Sequence, residues 1–390
     1  MPKSILSKSF VVIISGFVLS CSSTETNPFG LENIGQLDEQ SIEHVELNGT
    51  AAELSLELPD TQIGTSDELL IGSYKGANSA IVVKFESVSE VISSGTVQDA
   101  LLIFSPAGSV SGDSTGSYEV NAHKVTVAWS TENVDPDAIL SSYDAQIAGT
   151  ATFAKQSLLN DTLKISAEVV QGWVDNTTAN QGLLLLSQDP KDIHIYFSDE
   201  TVVGPQLKVT YTTNDSTKEV TLSDSDASSV VGWEVGFELP EDRLSVATGL
   251  ASSVFLKFDF PEIPANSTIN HASVTLQVDT SASIFPSTSS QFRLVRMFAN
   301  TADWANSPKD VDSSRVGIST YSNSIRLEMD ISSSIQSMAT DRIENFGFRL
   351  TPINPNQSIF RTVFFSSSVA DSSLIPRAEV FYTVPRAGTD

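Results

Sequence analysis

The chain has 390 residues, with 22 Lys plus Arg against 48 Asp plus Glu, a formal net charge of −26 and a single cysteine. At about 100–200 residues per domain there is room for two domains with real cores; an intrachain disulfide is excluded, and so is a nucleic-acid partner, because phosphate contacts need clustered Lys and Arg. A hydrophobic fraction of 40% with 18% charged residues excludes wholesale disorder.

The chain opens with Lys3 and Lys8, an apolar run from Phe10 to Leu19 and then small residues, the layout of a secretory signal and too short an apolar run to span a bilayer as a helix. Its end, Val18-Leu19-Ser20-Cys21, resembles the lipobox of bacterial lipoproteins. The resemblance implies cleavage before Cys21, diacylglycerol on its sulfur (palmitate being the common acyl group) and acylation of the new N-terminus, so that the membrane is a partner through the lipid anchor. Ser22, rather than Asp, follows the cysteine, which favours the outer membrane, with the periplasmic and outward-facing sides both open. Losing residues 1–20 removes two lysines and no acids, taking the net charge from −26 to −28; so acidic a chain is repelled by anionic lipid, and the acyl chains must do the anchoring. Residues 21–45 are polar and acidic, a flexible lipidated tether.

From residue 46 onward short runs of Val, Ile, Leu, Phe and Thr are broken by Ser, Gly, Asn, Asp or Pro, as in Ser79 to Phe85, Val125 to Trp129, Ile193 to Phe197, Leu207 to Tyr211, Val254 to Phe260 and Ala272 to Val278. Such punctuation predicts strands of all-β sandwiches. Helical spacing is confined to Leu163 to Asp175 and Met329 to Asp341, each a short helix or a strand followed by a helical turn.

An internal repeat connects these segments. Leu69 to Phe85 parallels Leu244 to Phe258, Tyr118 to Trp129 parallels Phe292 to Trp304, Val169 to Leu186 parallels Ile331 to Leu350, and Tyr196 to Tyr211 parallels Phe364 to Tyr382. The expected organisation is a signal over 1–20, a tether over 21–45, and two tandem jelly-roll-like β-sandwich domains over 46–213 and 214–390. The motifs are Leu244 to Asp259 followed by Ile263-Pro264-Ala265-Asn266-Ser267 and Ala272-Ser273-Val274, then Trp304-Ala305-Asn306-Ser307-Pro308, Val169-Val170-Gln171-Gly172-Trp173 with Gln181-Gly182-Leu183, and Phe197 to Tyr211. In this order the chain resembles the DNRLRE or disaggregatase-related family of secreted β-sandwich modules. The first copy departs from that pattern with Glu86 after Phe85 and no Pro after Trp129; the second lacks the Trp of the Val169 to Trp173 element. The resemblance implies a carbohydrate-binding module.

Residues with chemistry to offer are sparse. Gly112-Asp113-Ser114-Thr115-Gly116 fits the nucleophile-elbow pattern, but it sits in a Ser/Gly-rich run leading into a strand, where a hairpin loop is expected. His44, His123, His194 and His271 lack metal-ligand spacing. The acid pairs Asp224/Asp226 and Asp310/Asp312 are candidate ligands for a structural Ca²⁺, although neither has the further carboxylates of a known loop motif. A sugar face stacks on an indole; Trp173, flanked by valines, reads as core, and Trp233 and Trp304 are the candidate platforms. All ten arginines lie in the second half, where the net charge is −8 against −20 for residues 21–213. Arg293 and Arg296, with Arg326 and Arg349, are therefore the candidates for an anionic polysaccharide, the plainer role being pairs with acids on strand faces. The expectation is a non-catalytic outer-membrane lipoprotein that binds surface polysaccharide; the alternative is a structural or adhesive envelope protein that binds a protein partner and no glycan.

Overall fold

The computed structural model describes residues 42–384, except 58–65, 133, 157–158, 189–190, 200, 202, 215, 224, 234–238, 250–251, 262, 285–289, 298–303, 305–310, 322–324, 341–342 and 354–359. The fold is all-β: antiparallel sheets pack face to face around two principal cores.

The first core lies between two sheets. The larger contains β3 (Glu68–Tyr74), β4 (Ala77–Phe85), β6 (Pro106–Gly112), β7 (Ser117–Val125), β8 (Tyr143–Ala154), β10 (Leu183–Ser187), β11 (Asp192–Phe197) and β14 (Ser225–Trp233), in the order β6-β11-β3-β4-β10-β7-β8 with β14 also on β4. The smaller runs β13-β12-β5-β9, formed by β5 (Thr96–Phe104), β9 (Asp161–Ile165), β12 (Gln206–Thr213) and β13 (Ser216–Leu222). The second core lies between a sheet ordered β19-β18-β21-β16-β15-β22, with β2 also on β16, and a sheet ordered β1-β23-β17-β20. These strands are β1 (Ile42–Asn48), β2 (Ala52–Glu57), β15 (Arg243–Ala247), β16 (Ser252–Lys257), β17 (Thr268–Gln277), β18 (Ser290–Met297), β19 (Val311–Tyr321), β20 (Arg326–Asp330), β21 (Phe348–Pro352), β22 (Arg361–Phe365) and β23 (Arg377–Thr383). Apart from β6, the strand orders of the two sandwiches match position for position.

Burial follows sequence period. In β9 (DTLKI) buried and exposed residues alternate, since one face meets the core and the other meets water. β4, by contrast, is buried almost throughout, because its outer face is covered as well. There Ala80, Val82, Leu184 and Val230 pack under Val125, Trp129 and Ile139, the last from the short helix α2 (Pro136–Ser141). Phe255, Met297 and Trp304 form the matching cluster on the second sandwich, packed against Leu54 and Leu56 of β2. Each fully buried Leu or Phe contributes about 1.5–3 kcal/mol over leaving it exposed.

The remaining helices are α1 (Val88–Val91), α3 (Ala167–Val174) and α4 (Ser332–Ala339). The last two follow β9 and β20 directly, so both stretches with helical spacing are a strand and then two helical turns. Gly182 and Gly347, with φ of +79° and +92°, open β10 and β21. A Cβ there would lie 2.1 Å from the Val83 carbonyl oxygen and 2.6 Å from that of Leu256, so only glycine fits without a shift of backbone.

The pairing departs from the expected boundaries at two pairs of successive strands, each pair split between the two sheets of a sandwich. β13 and β14, on the far side of the 213/214 boundary, pair with β12 and β4 and complete the first sandwich. β1 and β2 pair with β23 and β16, more than 190 residues away, and complete the second. The stretch expected as tether up to residue 45 is thus already strand from Ile42, where Ile42 faces Thr383. Hydrophobic alternation identifies such segments as strands but does not encode which of two similar sheets they join.

Candidate functional site

The larger sheet of the first sandwich branches. β14 runs along one side of β4; on the other side β3 pairs with Ala77 to Ser79 and β10 with Ile81 to Val83. β11 and β6 extend the β3 branch, and β7 and β8 extend the β10 branch. Where the branches separate, β11 turns Asp192, His194 and Tyr196 to one face, while Ile193 and Ile195 join Leu70, Ala77, Val231 and Ile284 on the other.

This face carries a buried polar network. Lys155, immediately after β8, makes an ion pair with Asp192; the two side chains are 4% and 0% exposed. His194 Nε2 lies 3.2 Å from the other Asp192 carboxylate oxygen. The His194 ring stacks on Tyr118 at 3.9 Å and 14°, and Phe153 meets Tyr118 edge-on at 5.7 Å. The Tyr118 and Tyr196 hydroxyls share a hydrogen bond, and Tyr196 donates to Asp161 Oδ2 at 2.7 Å. With the Tyr196 proton committed to Asp161, Tyr118 is the donor between the two phenols. Burial dominates the electrostatics. It pushes both phenols far above their ordinary range, raises Asp161 against the Tyr196 hydrogen bond, and lowers His194 against the pull of Asp192. Both phenols and the imidazole are consequently neutral near pH 7.

On the matching strand of the second sandwich two of the three positions are phenylalanine. Strand register puts Phe360, Thr362 and Phe364 where the first has Asp192, His194 and Tyr196, and Phe292 packs edge-on against Phe360 and Phe364 at 5.9 and 6.3 Å. The sequence signal for the network is the i, i+2, i+4 spacing of Asp192, His194 and Tyr196 in a strand with isoleucines between; taking His194 by itself as a strand residue misses it.

The residues singled out by sequence are dispersed. Cys21, Asp224 and Asp310 lie outside the described residues, as do the side chains of Trp233 and Asp312. Asp226 is committed to Lys84 at 3.0 Å, a lysine that also holds Glu86 at 2.6 Å. Among the described residues no three His, Cys, Asp or Glu side chains gather closely enough to hold a metal ion. Trp304 does not serve as a platform: it is 2% exposed and stacked on Phe255 at 5.4 Å. Trp173 is equally buried, and Trp129 is buried with its indole N–H donating to the Gln181 carbonyl at 2.8 Å. Arg296 is buried, Arg293 is half-buried on β18, Arg326 pairs with Glu328, and Arg349 reaches Ser253 Oγ at 3.2 Å over the Phe255 ring. They do not form one exposed cationic surface. Gly112 to Gly116 is not a hairpin loop, since β6 and β7 sit on different branches; Asp113 accepts from the Thr115 amide at 2.9 Å in a local turn, and Ser114 Oγ accepts from Gln156.

A half-open hollow of about 290 Å³ lies beside α4, lined by Phe260, Ile263, Ile335, Met338, Ile343 and Asn345 among others. In the first sandwich the position of Met338 is held by Trp173, packed in one core with Val88 and Ile92.

No protein-family model matches the chain, and no curated protein matches it. Among solved structures, the structure of infectious bursal disease virus Gx strain aligns at a TM-score of 0.14 and 9% identity over 90% of this chain and 79% of that one, a likeness that carries no argument. No helix among the described residues is long and apolar enough to cross a membrane.

Proposed function

We propose that this chain is a non-catalytic outer-membrane lipoprotein whose sandwiches form a structural or adhesive element of the cell envelope, held by a lipid on Cys21 and engaging a protein partner. The observation that carries this reading over polysaccharide binding is the inward placement of Trp129, Trp173 and Trp304, all at 7% exposure or less. The large hydrophobic side chains exposed among the described residues are aliphatic, as at Ile42, Leu159 and Ile325. The entry of the tether supports it too: β1 is hydrogen-bonded along its whole length to the last strand, β23, so a pull on a lipid anchor is borne by a strand ladder and not by a loop.

The test has two arms. Cys21→Ser moves the protein from the membrane to the soluble fraction; retention at the membrane refutes the anchor. The full chain is screened against polysaccharides and, by cross-linking in intact cells, against envelope proteins. A specific envelope-protein adduct without glycan binding is the expected result. Polysaccharide binding that Trp233→Ala abolishes overturns the structural reading in favour of a glycan-binding one.

A further inference from the structure

We propose that Lys155 and Asp192 condense into an intramolecular isopeptide bond, an amide between Lys155 Nζ and Asp192 Cγ that sutures the two branches of the first sandwich's larger sheet.

Three observations carry this. The two groups are already in contact, in a pair whose side chains are 4% and 0% exposed, and fixing nucleophile and electrophile together removes most of the entropic barrier of a bimolecular condensation. A third group stands at the carboxylate: His194 Nε2 lies 3.2 Å from Oδ1, within reach to turn its N–H onto the oxygen that becomes negative when Cγ is attacked. The surroundings are aromatic, with Tyr118 stacked on His194 and Phe153 against Tyr118, so the site holds two opposite charges in a medium that solvates ions poorly. A buried ion pair carries a desolvation cost that its attraction does not always offset; a neutral amide with one N–H and one C=O carries far less.

The step balances without a cofactor. One proton passes from the Lys155 ammonium to Asp192 Oδ2, leaving a neutral amine and a neutral acid. The Nζ lone pair then forms the N–C bond at Cγ while the carbonyl electrons move onto Oδ1, where His194 holds them. As the carbonyl re-forms, the Cγ–Oδ2 bond breaks, a second proton from Nζ goes to Oδ2, and one water leaves. No electron is gained or lost, and no co-reactant is consumed. Topology gives the bond a structural consequence. Lys155 ends the β10-β7-β8 branch and Asp192 begins β11 on the other, so the amide ties together strands that share no backbone ladder.

Peptide mapping of the folded full-length chain tests this directly. After denaturation and trypsin digestion, the expected product is residues 125–164, uncleaved after Lys155, joined to residues 192–208 and lighter than the two together by one water. In Asp192→Ala and Lys155→Ala the joined species vanishes. His194→Gln, which keeps both reacting groups, lowers the joined fraction or slows its appearance after refolding. Cleavage after Lys155 in the wild-type chain, with 192–208 recovered alone at its sequence mass, overturns the proposal whatever the variants do.

Discussion

Gln171 and Gln336 make the same pair of hydrogen bonds in the two sandwiches. From α3, Gln171 Oε1 accepts from the Val97 amide at 2.7 Å and its Nε2 donates to the Gly95 carbonyl at 3.2 Å. From α4, Gln336 Oε1 accepts from the Ile269 amide at 2.9 Å and its Nε2 donates to the Ser267 carbonyl at 2.9 Å. Each side-chain amide thereby supplies the missing ladder partners at the start of β5 or β17 and clamps a two-turn helix across the sheet end. Asn180 and Asn345, nine residues further on and beyond each helix, repeat the pattern, each donating to a carbonyl at the end of β4 or beyond β16 (Phe85 at 2.7 Å, Phe258 at 2.8 Å) and accepting from Gly182 or Gly347.

Truncating either glutamine removes two part-buried hydrogen bonds and leaves a strand-end amide and carbonyl to find water. Gln171→Ala and Gln336→Ala should each cost about 1–3 kcal/mol, read as a lowered urea midpoint at unchanged slope. Because each clamp belongs to one sandwich, the double variant should lose the sum of the single losses within about 0.5 kcal/mol. A wild-type midpoint in either single variant would mean that water already serves these groups.

The hollow beside α4 gives a prediction of opposite sign. Trp173 and Met338 occupy equivalent helix positions, but only the first sandwich has an indole there, in a core with Val88 and Ile92. Met338→Trp should fill part of the hollow and stabilise the second sandwich by about 0.5–2 kcal/mol, measured as a raised thermal midpoint. If Met338→Trp lowers the midpoint, the walls at Phe260 and Ile263 do not accept the ring.

These particular residues show how far the sequence is readable. The parallel between Val169 to Leu186 and Ile331 to Leu350 was visible because Gln171 and Gln336, Gly182 and Gly347 stand at conformationally demanding places, where a turn or a strand end accepts few residue types. Strand identity was readable wherever one face meets water, as in β9. The destination of β1 and β2 was not, since an edge strand's pattern is set by its two faces and not by its neighbour in the plane of the sheet, and the neighbour is remote in sequence. Trp304 is hidden for a related reason: β2, remote in sequence, lays Leu54 and Leu56 against its cluster. The polar network was hidden because burial turns Asp192 and His194, ordinary surface residue types, into core residues, and nothing local announces that the outer side of their strand is covered too.

Acid should weaken the first sandwich through His194. Burial lowers its pKa despite Asp192, so as pH falls the unfolded chain takes up the proton before the folded one does. The stability that depends on neutral His194 is fully present above the unfolded value of about 6.5 and is lost as pH drops below it toward the folded value. Glu68 and Asp161, raised by burial, act with the opposite sign: their cost sets in only as pH rises above about 4, the ordinary carboxylate value. The urea midpoint should therefore fall between pH 7.5 and 5.5 in the wild type and fall less in His194→Gln. Equal slopes in the two proteins would assign the acid sensitivity elsewhere.

The N-terminal strands β1 and β2 make the most demanding prediction. Leu54 of β2 stands opposite Phe255 of β16 and packs in the cluster of Phe255, Met297 and Trp304. Leu54→Asp removes that contact and sets a carboxylate against an apolar cluster, a loss of about 2–4 kcal/mol. β2, and β1 with it, should detach, uncovering Trp304 and leaving β16 and β23 as open edges, while the first sandwich stays closed by its own β13 and β14. Tryptophan emission should then shift to the red, and unfolding should separate into two transitions. Gel filtration should show self-association that grows with protein concentration, because an unpaired strand edge recruits another copy's backbone. A monodisperse variant with wild-type emission and a single transition would show that the second sandwich closes without β1 and β2, and that the pairing of Ile42 with Thr383 contributes little to holding the chain together.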